Sequence, residues 1–317
     1  MSTQMRAVVQ HEFGGPEVLS FEEIDIPQPL PTEVQAEVAF AGVNPVDGKV
    51  RVGLSVAAAM GGFPFTIGWD FAGVVSQLGI GVTRFAVGDR VFGMPRFPRA
   101  GGSYAEYLTA PARHLVKVPG SLDLSTAAAV PLPATTAYQA LVDVAQVQAG
   151  QTVAVLGASG AVGSFAVQIA RALGANVIGT ARGESVSALR ELGIDRVIDT
   201  DIQSLEDEIA DADVVLDLIG GEFSARALDL VRTGGLVVSI PSGDKSALLA
   251  EAERTGKRLI GFIVEPDRMA LEYVANLIEQ GQLIVPTPIV MNLSDAVEVH
   301  RRLDVGTGKT VLRVKET

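Results

Sequence analysis

The feature that most constrains the fold of this chain is a glycine-rich turn between an apolar segment and a long amphipathic segment. It reads Val153-Ala-Val-Leu-Gly157-Ala-Ser-Gly160-Ala-Val-Gly163-Ser-Phe-Ala-Val-Gln-Ile-Ala-Arg-Ala-Leu-Gly174. Gly157 allows a sharp turn, and Gly160 leaves out a Cβ that would block a bound pyrophosphate. Gly163 lets the following helix pack close to a sheet. The pattern predicts a buried strand, a tight turn and a helix.

The groups that would hold an anion at such a turn are the exposed amides of the first helical turn. A tight structural turn without a ligand also uses glycine, so three glycines alone are weak evidence. Here they follow a strand and precede an amphipathic helix within a βαβ unit, which favours a dinucleotide site. The predicted phosphate contacts are Ser159, Gly160, Ala161 and Val162.

The apolar pattern divides the chain into a β-rich part and a part that alternates strands with helices. Between Met5 and about Pro119, short apolar runs separated by Gly and Pro predict short antiparallel strands, as in a partly open barrel. From about Leu122 the pattern changes to strand, turn and amphipathic helix, which predicts a doubly wound parallel sheet and an α/β fold. The predicted parallel strands are 152–156, 177–180, 196–198, 214–218, 236–240 and 259–264.

Length and composition limit the classes of function. A chain of 317 residues is longer than one core usually grows, which favours two domains. It has no cysteine, so disulfides, thiolate metal ligands and a cysteine nucleophile are excluded. A formal charge of -12 argues against nucleic acid as a partner. No apolar run is long enough to span a membrane and the N-terminus lacks the layout of an export signal, so we expect a cytoplasmic protein.

The end of the second parallel strand predicts which dinucleotide binds. An acidic residue there binds the ribose 2′-hydroxyl of NAD, whereas a basic one accommodates the 2′-phosphate of NADP. The segment reads Val177-Ile-Gly-Thr180-Ala-Arg182-Gly-Glu184, with no acid at the strand tip and an arginine just past it. We therefore expect NADPH, with Thr180 and Arg182 among its contacts. In the alternative, Arg182 is solvated and Glu184 binds the ribose.

Two further strand ends carry candidate cofactor contacts, because open α/β sheets hold ligands at the carboxyl edge of the strands. Residues 217–221 follow the fourth parallel strand and residues 239–242 follow the fifth. From these segments we predict Ile219, Gly220 and Ser239 as cofactor contacts.

Seven other motifs follow one another along the chain. They are Gly14-Gly-Pro-Glu-Val-Leu19, Gly42-Val-Asn-Pro-Val-Asp47, Gly68-Trp-Asp-Phe-Ala-Gly-Val-Val75, Val87-Gly-Asp-Arg-Val91, Gly102-Ser-Tyr-Ala-Glu-Tyr107, Pro131-Leu-Pro-Ala-Thr-Thr-Ala-Tyr138 and Gly308-Lys-Thr-Val-Leu312. In this order they resemble the zinc-independent quinone oxidoreductase branch of the medium-chain dehydrogenase/reductase superfamily. The resemblance implies a GroES-like β-rich catalytic domain of residues 1–122 and 265–317, a Rossmann NADP-binding domain of residues 123–264, and a homodimer.

The resemblance also identifies where a metal would bind. Zinc-dependent members hold their catalytic metal through a Cys, a His and a second Cys or an acidic residue, and many carry a four-Cys lobe. The matching positions here are Asn44, Trp69 and a third near Leu132, and none of them replaces such a ligand. The three histidines show no metal spacing, and each is expected at the surface or at a strand end: His11, His114 and His300. We therefore predict no metal site.

Three residues are candidates for catalysis by resemblance. Asn44 matches a position that faces the nicotinamide, and its amide could donate to a developing oxyanion; a turn-forming Asn before a proline is the alternative. Lys49 stands where many relatives carry a tyrosine near the substrate, so it is either a proton donor or oxyanion partner, or a solvated lysine. Thr136 matches a position beside the nicotinamide, although an N-terminal helix cap would also explain it.

Asn44 and Thr136 are therefore predicted to contact the cofactor as well. Phe262 and Val264, in the last parallel strand, are predicted by the resemblance to lie at the carboxamide end of the cofactor, with a buried edge strand as the alternative.

The missing metal ligands favour one class of reaction. Alcohol oxidation needs a stabilised alkoxide, which a bound metal provides. A quinone or an enone is already electrophilic, and a few hydrogen-bond donors can stabilise its reduced form. The predicted function is NADPH-dependent reduction of a quinone or a related conjugated carbonyl compound. The alternatives are an enoyl or 2-alkenal double-bond reductase, and a cofactor-binding protein with little turnover.

Overall fold

A computed structural model describes residues 3–194, 196–303 and 309–315. The described residues form two compact units. The first unit comprises Met1–Thr135, Glu265–Glu279 and Val285–Thr317, and the second comprises Thr136–Val264 and Gln280–Ile284. The domain limits proposed from the sequence, 1–122 with 265–317 and 123–264, stay predictions.

The N-terminal part of the chain is rich in short strands. Its elements are β1 (Gln4–Gln10), β2 (Leu19–Asp25), β3 (Glu33–Gly42), α1 (Pro45–Arg51), β4 (Phe65–Thr66), β5 (Asp70–Leu78), β6 (Arg90–Gly93), β7 (Tyr107–Pro111), β8 (Leu115–Lys117), α2 (Leu124–Ala127) and α3 (Pro131–Tyr138). Every described pairing among β1 to β8 is antiparallel, which confirms the prediction of short antiparallel strands.

The second unit alternates strands with helices. Its elements are β9 (Thr152–Leu156), α4 (Ala161–Ala172), β10 (Asn176–Ala181), α5 (Ser185–Glu191), β11 (Arg196–Asp199), α6 (Leu205–Glu208), β12 (Ala212–Asp217), α7 (Glu222–Leu230), β13 (Val231–Ser239), α8 (Ser246–Arg254) and β14 (Arg258–Gly261). The strands lie in the order β11-β10-β9-β12-β13-β14, and all five pairings are parallel. This confirms the predicted α/β fold with a doubly wound parallel sheet.

Local sequence explains the strand and helix on either side of the glycine turn. Residues 153–156 of β9 are all apolar and fully buried, as expected for a strand with helices on both faces. The helix α4 ends because Gly174 adopts a left-handed conformation with φ of +81°. The N–H of Gly174 then donates to Arg171 and the N–H of Ala175 donates to Ala170, which together satisfy the last carbonyls of the helix.

The last parallel strand is shorter than the sequence predicted. We expected a strand over 259–264, but β14 ends at Gly261, whose partner in β13 is Ser239. Beyond Ser239 the neighbouring chain reaches Pro241, which has no N–H to continue a ladder. Phe262 and Val264 therefore follow the strand rather than belong to it.

The tail of the chain contains α9 (Arg268–Glu279), β15 (Ile289–Asn292), α10 (Ala296–Leu303) and β16 (Thr310–Arg313). The strand β16 pairs antiparallel with β3 and parallel with β15, so the tail extends the sheet of the first unit. Gly308, part of the last sequence motif, lies outside the described residues. Among the described helices, none combines the length and the apolar character needed to cross a membrane.

Candidate functional site

The glycine turn of the second unit has the geometry of an anion-binding turn. Gly157 follows β9 with φ of +80°, a conformation that glycine adopts without strain. A Cβ on Gly163 would lie 2.3 Å from the carbonyl oxygen of Gly157 and 2.6 Å from Cα of Ala158. The start of α4 can therefore pack against the turn only because residue 163 has no side chain.

The predicted phosphate contacts lie together at the N-terminus of α4. Ser159 and Gly160 are exposed, and Ala161 and Val162 are half-buried. A helix begins with N–H groups that have no partner within the helix, and its dipole makes this end favourable for an anion. The N–H of Gly160 already donates to the carbonyl oxygen of Gly157 at 3.1 Å, so the amides after it are the ones that could face a pyrophosphate, and the cofactor contacts of these four residues stay predictions.

The end of β10 holds the turn in shape. Thr180 is buried, and its hydroxyl oxygen accepts a hydrogen bond of 3.0 Å from the N–H of Gly157. Its carbonyl oxygen accepts a second bond of 3.0 Å from the N–H of Ala158. The side-chain oxygen of Thr180 is thus used within the protein, and its predicted contact with the cofactor stays a prediction.

Charged residues of both signs lie at the turn after β10. Arg182 is exposed, and its guanidinium makes no hydrogen bond or ion pair with the described residues. Glu184 is also exposed, directly before α5. Asp201, from the segment after β11, lies close to Gly183: a Cβ on that glycine would be 3.7 Å from Oδ2 of Asp201. The sequence did not point to Asp201, because a different strand brings it here.

A buried carboxylate organises the loop after β12. Oδ1 of Asp217 accepts hydrogen bonds from the N–H groups of Ile219 at 3.0 Å and Gly220 at 2.9 Å. Its Oδ2 accepts from the hydroxyls of Ser224 and Ser239. The hydroxyl hydrogen of Ser239 is therefore engaged, which leaves its oxygen as an acceptor. Asp217 was not among the predicted contacts, although an acid at the end of an apolar strand was a usable signal.

The residues after β14 differ in exposure. Phe262 is half-buried and Val264 is buried, whereas Ile263 between them is largely exposed. The proposed contact of Phe262 and Val264 with the cofactor stays a prediction. The alternative, that they form a buried edge strand, is wrong, because the strand ends at Gly261.

In the first unit, Asn44 starts a helix. It is the residue before α1, with extended backbone angles and Pro45 at the first helical position. Its backbone N–H donates to Oδ2 of Asp47 at 2.7 Å, and its carbonyl oxygen accepts from the N–H of Asp47 at 2.9 Å. Asn44 is only 2% exposed. Its position is therefore set by the helix start as well as by the contacts of its side chain.

The side chain of Asn44 lies between an acid and a base. Its Nδ2 donates to Oδ2 of Asp70 at 2.8 Å, and its Oδ1 accepts from Nζ of Lys309 at 2.7 Å. The same ammonium donates to Oδ2 of Asp70 and to the carbonyl oxygen of Val43, both at 3.1 Å. The second oxygen of Asp70 accepts from the N–H of Leu132 at 2.6 Å. Asp70 therefore joins β5, α3 and the side chain of Asn44.

Lys309 was not among the site residues predicted from the sequence. It is part of the last motif, where no role was predicted for it. It lies 265 positions from Asn44, and no spacing pattern connects residues so far apart. The antiparallel pairing of β16 with β3 brings it to Asn44, because Val311 lies opposite Gly42 at the end of β3.

A second buried acid, Asp47, adjoins this group. Its Oδ2 accepts from the N–H of Asn44 and from the phenol of Tyr104, the latter at 3.1 Å, whereas its Oδ1 has no partner among the described residues. Burial is the main cause that raises the pKa of Asp47 from 3.8 to about 7, and the charge of Asp70 raises it further. Burial also raises the pKa of Tyr104 well above its usual value, so its phenol stays protonated.

The other two candidate catalytic residues have different surroundings. Lys49 lies in α1 and is exposed, and its amine makes no hydrogen bond or ion pair with the described residues. Thr136 is buried and is the sixth residue of α3, which begins at Pro131. An N-terminal cap is therefore not the reason for a threonine at this position. The catalytic roles of both residues stay predictions.

The positions that match zinc ligands are occupied by groups with other partners. Trp69 is fully buried, and its indole N–H donates to the carbonyl oxygen of Arg99 at 2.7 Å. Leu132 offers only its backbone, which bonds to Asp70. Across residues 3–194, 196–303 and 309–315, no group of three or more His, Cys, Asp or Glu side chains could hold a metal ion.

The histidine prediction was wrong for His300. His11 is exposed, as expected, and it pairs with Glu22. His300 instead is fully buried in α10, where its Nδ1 bonds to the guanidinium of Arg51 at 3.0 Å and its ring packs edge-on against Tyr104.

Two family models match the chain. The model described as an alcohol dehydrogenase GroES-like domain matches residues 30–120, and the model described as a zinc-binding dehydrogenase matches residues 161–280.

Curated relatives match over most of their length. The quinone oxidoreductase of Homo sapiens is 32% identical over 323 residues, which cover 96% of each chain. The chloroplastic NADPH-dependent alkenal/one oxidoreductase of Arabidopsis thaliana is 34% identical over 245 residues, which cover 75% of this chain and 62% of that protein. Among solved structures, the quinone oxidoreductase from Coxiella burnetii matches with a TM-score of 0.92 and 30% identity, over 98% of this chain and 100% of that one.

Proposed function

The chain belongs to the medium-chain dehydrogenase/reductase family, in its quinone oxidoreductase-like branch, and is an NAD(P)H oxidoreductase. From this premise we propose that it uses NADPH to reduce quinones or related conjugated carbonyl compounds without zinc. The human and Coxiella burnetii relatives are both named quinone oxidoreductases, which supports this substrate class.

The observation that carries the proposal is the hydrogen bonding of Asn44. Its Oδ1 accepts from the ammonium of Lys309, so the atom that could ligate a metal already binds a cation. Its Nδ2 carries two hydrogens, of which one bonds to Asp70. With Trp69 and Leu132 at the other two positions, this donor set does not fit zinc. It fits a site that offers an N–H donor to an oxygen atom.

A bound NADPH would supply the hydride. Residues 159–162 would hold its phosphates, the segments after β12 and β13 would contact it, and Phe262 and Val264 would lie at its carboxamide end. The second N–H of Asn44 would donate to an acceptor oxygen on which negative charge develops during reduction. The exposed amine of Lys49 is the proposed proton donor for the reduced product.

The direct test measures oxidation of NADPH by stopped-flow absorbance with a panel of quinones and enones. We expect turnover with quinones and a loss of about 10- to 100-fold in kcat for Asn44→Ala, because one oxyanion donor is removed. Asn292→Ala is the matched control, since Asn292 also starts a helical segment with its N–H bonded to an Asp three residues on, but is exposed. NADPH that binds without oxidation by any acceptor would favour a cofactor-binding protein.

Reduction of an alkene conjugated to a carbonyl is the second candidate. The chloroplastic relative of Arabidopsis thaliana is named an alkenal/one oxidoreductase, which supports it. Both acceptors place negative charge on an oxygen, so the donor of Asn44 serves either. The ratio of kcat/KM for a quinone and an enone of similar size separates them, and a ratio below one would replace the first proposal with the second.

The preference for NADPH rests on Arg182. Its exposed guanidinium has no partner among the described residues and could pair with a 2′-phosphate. Arg182→Ala should weaken NADPH binding by about 1.5 to 3 kcal/mol, the value of a charge-assisted bond, and leave NADH binding unchanged. Arg190→Ala, on the exposed side of α5, is the control. Equal affinities for both dinucleotides in the wild type would remove this role and favour Asp201 or Glu184 as a ribose ligand.

Dimerisation is proposed through the edge of the parallel sheet. The strand β14 is the last in the sheet order, and it contains Ile260, which is 39% exposed, and is followed by Ile263, which is 62% exposed. A strand edge with exposed apolar side chains favours pairing with a second copy. Sedimentation should show a dimer that Ile263→Lys dissociates, whereas a monomer at micromolar concentration would refute the proposal.

A cytoplasmic location, and the absence of nucleic-acid and membrane partners, stay predictions of the sequence.

A further inference from the structure

The group around Asn44 determines which way its amide points. Reversing the amide would place its NH₂ against the ammonium of Lys309 and its oxygen against the carboxylate of Asp70. An ammonium has no acceptor and a carboxylate has no donor, so both hydrogen bonds would become repulsive contacts. Only the observed orientation satisfies Lys309 at 2.7 Å and Asp70 at 2.8 Å.

The ammonium of Lys309 has no donor left for a substrate. Its three hydrogens match its three acceptors, which are the carbonyl oxygen of Val43, Oδ1 of Asn44 and Oδ2 of Asp70. The side chain is 9% exposed, and Asp70 is fully buried. Lys309 therefore has no hydrogen left to donate to a reacting oxygen, and its hydrogen-bonded link to one would run through the amide of Asn44.

A cation on the oxygen of an amide also changes its nitrogen. It draws electron density through the conjugated O–C–N group, which makes the remaining N–H a stronger donor, and hydrogen bonds in such a chain strengthen one another. The effect is largest where the surroundings are buried, as they are at Asn44 and Asp70.

We propose that Lys309 is a positioning residue for the reduction, which fixes the amide of Asn44 in one orientation and polarises it so that its second N–H stabilises the negative charge on the acceptor oxygen. This inference rests on the proposed function, because it assumes that the acceptor oxygen gains charge. It adds a residue from the C-terminal strand segment to a site otherwise built from β5 and the start of α1.

The first test compares Lys309→Met with the wild type. Methionine keeps the length of the side chain but removes the charge, and we expect kcat with a quinone to fall by about 10- to 100-fold. The dissociation constant of NADPH should stay unchanged. The isotope effect on kcat with NADPH deuterated at the transferred hydrogen should rise, because hydride transfer becomes slower than the other steps. A loss of folded enzyme alone would lower the rate without changing the isotope effect.

Three further variants separate positioning from folding. Lys309→Arg keeps the charge but replaces one point donor with a planar fork, so we expect its kcat to lie between that of the wild type and that of Lys309→Met. The double variant Asp70→Asn with Lys309→Met leaves no unpaired buried charge, so it serves if the single variant does not fold, and it should also be slow. Lys315→Met is the matched control, since Lys315 pairs with Glu37 at the surface and should leave kcat unchanged.

A binding measurement gives a readout that does not depend on turnover. The phenolate of para-nitrophenol imitates the charged oxygen of a reduced quinone, and calorimetry gives its dissociation constant in the presence of NADP⁺. We expect Lys309→Met to weaken phenolate binding by about tenfold, as the loss of a polarised donor should. Lys315→Met should not change it.

The outcomes separate the two proposals. If the wild type oxidises no NADPH with any quinone or enone, the proposed function fails, and the inference falls with it. If the wild type is active and Lys309→Met, or the folded double variant, matches it in kcat, isotope effect and phenolate affinity, only the role of Lys309 is overturned.

Discussion

The raised pKa of Asp47 predicts that the first unit loses stability as pH rises toward neutrality. Its pKa is raised from 3.8 to about 7, so the folded protein holds this proton more tightly than the unfolded chain does. Between these values the folded state binds more protons, so stability falls as pH rises and levels off about one pH unit above the folded pKa. Integrating the two titrations from about pH 5 to about pH 8 gives a loss of about 2.5 kcal/mol.

Asp47→Asn removes this titration while keeping an oxygen that can accept from Asn44 and Tyr104. The substitution leaves an unpaired N–H in place of the unpaired Oδ1, which costs about 1 to 3 kcal/mol at every pH. The informative quantity is therefore the difference in free energy of unfolding between the variant and the wild type, measured at each of the two pH values. This difference should shift in favour of the variant by about 2.5 kcal/mol between about pH 5 and about pH 8.

Trp69 provides the signal for this measurement. It is the single tryptophan of the chain and is fully buried in the first unit, so its fluorescence reports the unfolding of that unit in guanidinium. Asp25→Asn is the control, because its carboxyl is exposed and makes no hydrogen bond with the described residues. If the free energy of unfolding changed with pH in the same way for the wild type and Asp47→Asn, burial would not be keeping this proton bound.

Three other variants test the turn, the loop and the phenol. Gly163→Val should weaken NADPH binding by at least about tenfold in a fluorescence titration, because even a Cβ there would lie 2.3 Å from the carbonyl oxygen of Gly157; unchanged affinity would contradict it. Asp217→Ala leaves two amides and two hydroxyls without their acceptor, and should cost about 3 kcal/mol in a urea denaturation of the second unit. Tyr104→Phe removes a bond that lowers the pKa of Asp47, so the loss of stability should move to higher pH in the same guanidinium assay; an unmoved profile would argue against that contact.

The parallel sheet could be predicted because its signals are local. Each strand is a short apolar run, and the glycine turn marks the passage from strand to helix. The end of β14 could not be predicted in this way, since it depends on Pro241 in the neighbouring segment rather than on residues 262–264 themselves. Apolar residues continue past Gly261, but no partner is there to pair with them.

The candidate site was predictable residue by residue but not as a hydrogen-bonded group. Asn44 could be selected from its motif, whereas its partners lie 26 and 265 positions away at Asp70 and Lys309. The wrong prediction for His300 has the same cause. This histidine was expected at the surface or at a strand end, but it is buried beside Arg51 and Tyr104, which come from distant parts of the chain. Contacts made by strand pairing over such distances leave no periodic trace in the sequence.

The arrangement at Asn44 bears on which acceptors the protein can reduce. The ammonium of Lys309, 2.7 Å from Oδ1 of Asn44, would repel a metal cation at that oxygen, which supports the proposed reaction without zinc. The proposed stabilisation of the acceptor oxygen comes from one N–H donor of Asn44. That amide binds the positive charge of Lys309, which Asp70 partly balances. A single hydrogen bond of this kind suits a product whose charge is delocalised, as in a hydroquinone anion or an enolate. It is too weak to stabilise a localised alkoxide. The bond from Lys309 to Asn44 thus connects the substitution at the ligand position with the proposed preference for conjugated acceptors.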